Sequence, residues 1–427
     1  MSELFSQFLD ALFILGSLWF IWAPIILFFV FRTTWYNYAH GSFLSGIKPI
    51  LLEVTIPRDV AKSPKAMESI FAGLHGTLKN PDLIEKYFKG VVTSWFSFEI
   101  VGDEKGVHFY IWTPEGFRRL LEAQIYAQYP SCEVHVVEDY TKALPVGLPN
   151  EEWNLWGTEF ILTKPDAFPI RTYEDFVLEK ISVKEEEQKI DPLAALMEFL
   201  GSFQPGERCW IQLLVRPTGD KWKKDGEKII QEMLGRKQPP KPNLLEKIFG
   251  IITTIISDLA GPSEAGPTDK KDDAGMAKLT PGQTEVIKAV ENNISKIGFE
   301  VGFRWMYLAK KDVFNATSIP AMMGIFKQFS SPVLNGFRPH PETTTKIGYM
   351  GYIDAIKRRV EGRKKERIYK AYRLRSFFYP PYNQVHPFVL SSSELATIYH
   401  FPGTVVGAPT MVRIEAKKGT PPPNLPM

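Results

Sequence analysis

The chain has 427 residues, 23% of them charged, with a formal net charge of +3 and a mean hydropathy of −0.13. That length suits about two domains, and so small a net charge does not by itself point to any partner. Cys132 and Cys209 are the only cysteines, each in a strand-like run (CEVHVVED and CWIQLLV), which excludes a disulfide framework and fits a reducing compartment.

The first element is Ala11–Phe31, ALFILGSLWFIWAPIILFFVF, 21 residues without a charge. At about 1.5 Å of rise per residue such a helix covers roughly 30 Å, the thickness of a bilayer's hydrocarbon core. Ala11, Leu12, Phe13, Trp19, Trp22, Pro24 and Phe31 belong to this predicted span, with Pro24 at its middle, and Trp35, Tyr36 and Tyr38 follow as headgroup-level aromatics. A cleaved signal peptide would begin with basic residues and end at small ones. Here Glu3 and Asp10 precede the span and bulky Phe29, Phe31 and Trp35 occupy its exit, so a retained anchor is expected. Arg32, Lys48, Arg58, Lys62 and Lys65 follow the span and no Lys or Arg precedes it. The positive-inside rule then places the N-terminus outside and the body in the cytoplasm.

Beyond the juxtamembrane segment (1–49 with the span), residues 50–139 read as strand, helix, strand, strand, helix, strand. ILLEVTIPR (50–58) alternates, and KAMESIFAGL places Met67, Ile70, Phe71 and Leu74 at helical spacing. SWFSFEIV and GVHFYIW are joined by a hairpin loop, Phe117, Leu120, Leu121, Ile125 and Tyr129 form one helix face, and CEVHVVED closes the unit. That order is the split βαβ pattern of a ferredoxin-like domain over 50–150. A second α/β unit of similar type is expected over 151–345, from GTEFILT, the LAALMEFLGSF helix after Asp191-Pro192, RCWIQLLVR, a helix at 280–297, FEVGFRWMYLA and IPAMMGIFKQF. The expected fold class is therefore α+β, a single span followed by tandem ferredoxin-like domains.

The second unit is interrupted at 235–279 by proline-, glycine- and charge-rich flanks around LLEKIFGIITTIISDLAG (244–261). Its uncharged run is too short to span a bilayer. A helix lying on the membrane and a helix packing on the body or on a neighbouring subunit both fit. Residues 346–427 hold a basic helix and a proline-rich linker. The helix, 354–375, carries ten Lys/Arg (Lys357, Arg358, Arg359, Arg363, Lys364, Lys365, Arg367, Lys370, Arg373, Arg375) against Asp354, Glu361 and Glu366. A solvated face, a nucleic-acid contact and an anionic-lipid contact are the readings of such a run.

Catalytic signals are thin. The chain contains no Gly-Lys dipeptide, hence no Walker A loop to cradle phosphates, and no HExxH, Cys-x-x-Cys or GxSxG pattern. His108 and His135 read as sheet-face residues. Arg58 stands where an acylphosphatase would hold its catalytic arginine, but in IPRD it reads more simply as a strand-end charge. His400-Phe401-Pro402-Gly403 reads as a turn with Phe401 tucked inward. No catalytic residue, metal or cofactor is expected.

Three long stretches carry a resemblance: residues 190–230, YKAYRLRSFFYPPY (369–382) and ELATIYHFPGTVVGAPTMVRIEAKKGTPPPNLP (394–426). With the anchor and paired domains, the chain resembles the membrane-proximal region of bacterial proteins related to type IV secretion and conjugative-transfer ATPases. In longer members a RecA-like motor follows the Asn-Leu-Pro segment, whereas here Met427 follows Pro426. The resemblance implies a non-catalytic anchor or adapter that docks a separately encoded hexameric ATPase moving DNA or protein. Phe377, Phe378, Tyr379, His400, Phe401 and Pro402 are the expected docking residues. The expected partners are membrane lipid and that ATPase; nucleic acid and a second copy of the chain stand beside them. A membrane-tethered nucleic-acid-binding protein and a self-assembling scaffold are the rival roles.

Overall fold

The computed structural model describes residues 13, 16–57, 62–176, 191–235, 279–346, 354–383, 385–403 and 413–414. The expected 244–261 helix, Arg58, Ala11 and Leu12 lie outside these residues, as does most of the proline-rich tail.

Helix α1 (Trp19–Ser45) contains Pro24 and continues well past the uncharged stretch. It is long and apolar enough to cross a membrane, and none of its most apolar window is buried against the body. Three residues, Gly46–Lys48, then lead directly into β1 (Pro49–Pro57). The first half of the body continues with α2 (Lys65–His75), the short α3 (Leu83–Tyr87), β2 (Phe96–Asp103), β3 (Gly106–Pro114), α4 (Arg118–Gln128) and β4 (Glu133–Val137). Its strands lie in the order β4-β1-β3-β2, all antiparallel.

The second half runs β5 (Trp153–Leu162), α5 (Pro192–Gly201), β6 (Glu207–Pro217), α6 (Lys221–Met233), α7 (Pro281–Ser295), β7 (Gly298–Lys310), α8 (Ser318–Lys327) and β8 (Phe337–Pro339). Its order, β8-β5-β7-β6, repeats that of the first half. One difference stands out: β2 and β3 form a tight hairpin, whereas α6 and α7 lie between β6 and β7. The sequence spacing leads to two tandem units. The structure joins the halves through an antiparallel β2–β6 pairing, Phe96↔Val215 to Gly102↔Cys209, into one ten-stranded sheet. After β8 come α9 (Asp354–Arg373), β9 (Phe388–Ser391) on β7, α10 (Ser392–Ile398) and β10 (Arg413–Ile414) beside β1.

Strand side chains alternate between faces, and here each face has its own core. On one, Phe98, Ile100, Ile211, Phe303 and Trp305 pack with Phe71 of α2, Ile125 of α4, Met197 of α5, Phe326 of α8 and Leu395 of α10. Each such burial contributes about 1.5–3 kcal/mol of transfer free energy. The other face holds Trp112, Trp210, Leu214, Met306 and Leu308 under Ile368, Tyr369 and Tyr372 of α9. The latter half of the basic helix is therefore a lid on the sheet. Helices α6 and α7 pair through Trp222, Ile230, Val290 and Ile294 at the sheet's end.

Phe377, just past α9, lies flat on β7 at Gly302, where a Cβ would fall 2.6 Å from its ring. Gly302→Ala is expected to destabilise the protein by about 1–3 kcal/mol, because the buried ring must shift off β7 to admit the methyl group. Thermal melting of the detergent-solubilised chain should show the lowered midpoint; an unchanged midpoint would mean that Phe377 does not seat there.

Candidate functional site

On the lidded face one rung of the sheet is polar from strand to strand. Glu53 of β1 registers with Tyr110 of β3, Tyr110 with Glu99 of β2, Glu99 with Gln212 of β6, Gln212 with Arg304 of β7, and Arg304 with Glu159 of β5. The rung thus crosses the β2–β6 seam between the halves. Glu99, Gln212 and Arg304 are completely buried, and Glu159 nearly so. Isolated buried charges are expensive, so each must be paired and hydrogen-bonded. Gln212 Nε2 donates to Glu99 Oε1 at 2.9 Å, and Arg304 Nη1 donates to Gln212 Oε1 at 3.0 Å. Arg304 also binds Glu159 Oε1 through Nε and Nη2, at 2.9 and 2.6 Å. Ser97 and Tyr140 hydroxyls donate to the two Glu99 oxygens at 2.6 and 2.7 Å.

Arg375 closes the array from above. Its Nε and Nη2 donate to Glu99 at 3.0 and 3.1 Å, and the same guanidinium grips Asp139. Its backbone is left-handed, with φ of 49°, a conformation that non-glycine residues rarely adopt. The Trp95 indole donates to the Arg375 carbonyl at 3.0 Å, and Arg304 Nη2 to the Ser376 carbonyl at 2.9 Å. Burial alone would raise the Asp139 carboxyl, but hydrogen bonding and charge from Arg375 outweigh it and hold it below the usual carboxylate range.

The basic run is therefore divided. Arg358, Arg359 and Arg363 face solvent, and Lys357 is half-buried. Lys364 reaches the Pro341 and Thr344 carbonyls, Lys365 binds Asn154 Oδ1 at 2.8 Å, and Lys370 pairs with Glu366. Burial lowers the Lys365 ammonium. The Arg373 guanidinium lies over the Tyr369 ring. Arg363 and Arg367 also line a cavity of 210 Å³ with Thr343 and Tyr382, below the size of ordinary ligand pockets. Arg375 is a buried structural cation, not a surface contact.

The expected docking residues need a larger correction. Phe377 is buried, and Phe378 and Tyr379 pack against the same cluster while stacking on Arg216. His400 is also interior, its Nδ1 near the Ala396 carbonyl (2.9 Å) and its Nε2 near Asp191 Oδ1 (3.2 Å). Phe401 is tucked inward against Phe109, Tyr129 and Tyr399, and Pro402 is buried beside it. No partner reaches Phe377, His400, Phe401 or Pro402 without opening the core, whereas Phe378 and Tyr379 are half-buried. Glu394 at the start of α10 accepts from the Ile170 and Ser391 amides at 2.9 and 2.8 Å, and complete burial pushes its carboxyl up to about 7.

The base of α1 is fixed to this layer. Leu44 packs on the lidded-face cluster, the Glu115 amide donates to the Lys48 carbonyl at 2.8 Å, and His40 meets the Tyr379 ring edge-on. An apolar cavity of 480 Å³ lies at the joint among Leu44, Ile47, Trp95, Trp112 and Phe377. Both cysteines are buried free thiols. Among the described residues no group of three His, Cys, Asp or Glu could hold a metal ion.

These features define a class: a membrane-length helix fused to a two-faced α+β body around a buried charge ladder. A family model described as Domain of unknown function (DUF8128) matches residues 51–411, and the chain belongs to that family. No curated protein matches it.

Removing Arg375 would strand Glu99 without its counter-charge. Arg375→Met is expected to cost about 3–5 kcal/mol in urea unfolding, whereas Arg359→Ala stays within about 0.5 kcal/mol. Equal effects would contradict the ladder. The depressed Asp139 carboxyl contributes stability that is complete above about pH 4 and lost as pH falls through its folded-state value. Asp139→Asn should therefore flatten the acid limb of the stability–pH curve.

Proposed function

We propose that the protein is a non-catalytic membrane anchor and adapter that holds its body at a fixed attitude to the bilayer and docks a separately encoded ATPase. The observation that carries this reading is the joint between α1 and β1: the helix enters the sheet with only Gly46–Lys48 between them, and Leu44 of its last turn packs against the lidded-face cluster. A tether would need slack; an adapter that orients a partner needs stiffness. The finer fold reading is that each half is a ferredoxin-like unit, the two fused edge to edge. In the proposed orientation the N-terminus is outside the inner membrane, and Arg32, Lys48, Lys62 and Lys65 lie on the cytoplasmic side.

The ATPase partner rests on the resemblance of residues 190–230, 369–382 and 394–426 to the membrane-proximal part of type IV secretion and conjugation ATPases. With four of the six expected docking residues buried and Phe378 and Tyr379 half-buried, the exposed Arg358, Arg359 and Arg363 become the proposed contact, facing an acidic surface of the motor. Pull-down of the full chain from its native membranes, followed by mass spectrometry, should recover a Walker-containing ATPase near stoichiometry. Charge reversal of all three arginines should release it. Recovery of no ATPase would sink the adapter reading. Trimming from residue 394 is unsuitable, because α10 and Phe401 are core; a cut after Gly403 spares them.

The same exposed arginines support a second reading, a tethered nucleic-acid binder. Its duplex affinity would fall with salt by about 0.9 log units per log unit for each phosphate contacted. No binding at low salt would end that reading.

A further inference from the structure

The loop between α2 and β2 exposes an apolar surface that the body does not use. Leu83, Ile84 and Phe88 are 74%, 62% and 70% exposed. They are not loosely held. Asp82 and Glu85 form a reciprocal capping box, so the segment's two carboxylates turn back onto its own backbone.

The segment is also pinned to α1. The Trp35 indole donates to the Tyr87 carbonyl at 2.8 Å, and the Tyr36 and Tyr87 rings meet at 5.7 Å. Gly90, with φ of +65°, lies so close to α1 that a Cβ would fall 2.1 Å from the Ala39 carbonyl oxygen. From Gly90 back to Tyr87 the chain therefore runs along α1 from Ala39 toward Trp35, in the direction of the span. Trp35 is four residues beyond Phe31, about 6 Å at helical rise, which is the depth of the headgroup layer. Lys86 lies between Ile84 and Phe88 and Lys89 follows them, a complement to anionic headgroups.

We propose that residues 82–89 form a second membrane contact, in which Leu83, Ile84 and Phe88 enter the headgroup–acyl boundary of the bilayer that takes α1. The inference rests on α1 being a span. Two contacts, one transverse and one interfacial, fix the tilt of the body, which a single helix leaves open.

The test uses the full-length chain in vesicles of phosphatidylcholine and phosphatidylglycerol, with a bimane label at Phe28→Cys, Phe88→Cys or Val333→Cys. Val333 is an exposed control just before β8, and the unsubstituted chain, whose cysteines are buried, serves as the labelling blank. The expected result is loss of fluorescence at Phe28 and Phe88, but not Val333, with lipids that carry a nitroxide near the headgroup. Quenching at Phe28 alone overturns the proposal while leaving the span intact. Quenching at neither position overturns both. Equal quenching at all three means the body lies flat on the lipid, and a blue shift at Phe88 without quenching means a protein covers the patch; either result overturns the proposal.

Discussion

Glu99, Gln212, Arg304 and Glu159 lie side by side on four adjacent strands, completely or nearly buried, with Arg375 seated over the first of them. Such a row is stable only when every lone pair and N–H is satisfied, since a half-made network costs more than an apolar core. That demand reaches beyond the row. It holds Arg375 in a left-handed conformation, stops α9 there, and turns the following residues so that Phe377 covers Gly302. The β2–β6 pairing lies beneath, so the same charges that cap the sheet also join its halves.

The joint to α1 depends on this layer. Leu44 at the end of α1 packs against the cluster that contains Trp210, Tyr372 and Phe377, and His40 meets Tyr379 in the turn set by Arg375. Packed side chains thereby run without a break from the ladder to the base of α1. The proposed adapter role draws on that stiffness, and the interfacial segment at 82–89 would extend it to the lipid.

Much of the first half was legible in the residues. Alternation in 50–58 and the Met67–Leu74 spacing lead to β1 and α2 within a residue or two, because periodicity records which face meets a core. What alternation cannot record is a second cover. Ser97 and Glu99 in SWFSFEIV, and Arg304 in FEVGFRWMYLA, look like the wet face of a strand until α9 closes over them. For the same reason a run of ten cations reads as a surface helix although Ile368, Tyr369 and Tyr372 make half of it a lid. Burial of Phe377 and His400 likewise depends on contacts with residues far away in sequence. α6 went unread, since KWKKDGEKII is so charged that Trp222 and Ile230 are its only buried large apolar side chains. The exposed Leu83, Ile84 and Phe88 are ordinary residues in sequence; only their exposure beside α1 singles them out.

The central claim is that both halves of the sheet and the base of α1 form one cooperative body, and native-state hydrogen exchange of the full-length protein in lipid tests it most directly. Amides of β1, β2, β6 and β7, with those of the last turn of α1, are predicted to share one highest opening free energy and to lose protection together in Arg375→Met. Exchange of β5–β8 at an opening energy separate from β1–β4, with α1 indifferent to the substitution, would contradict the account.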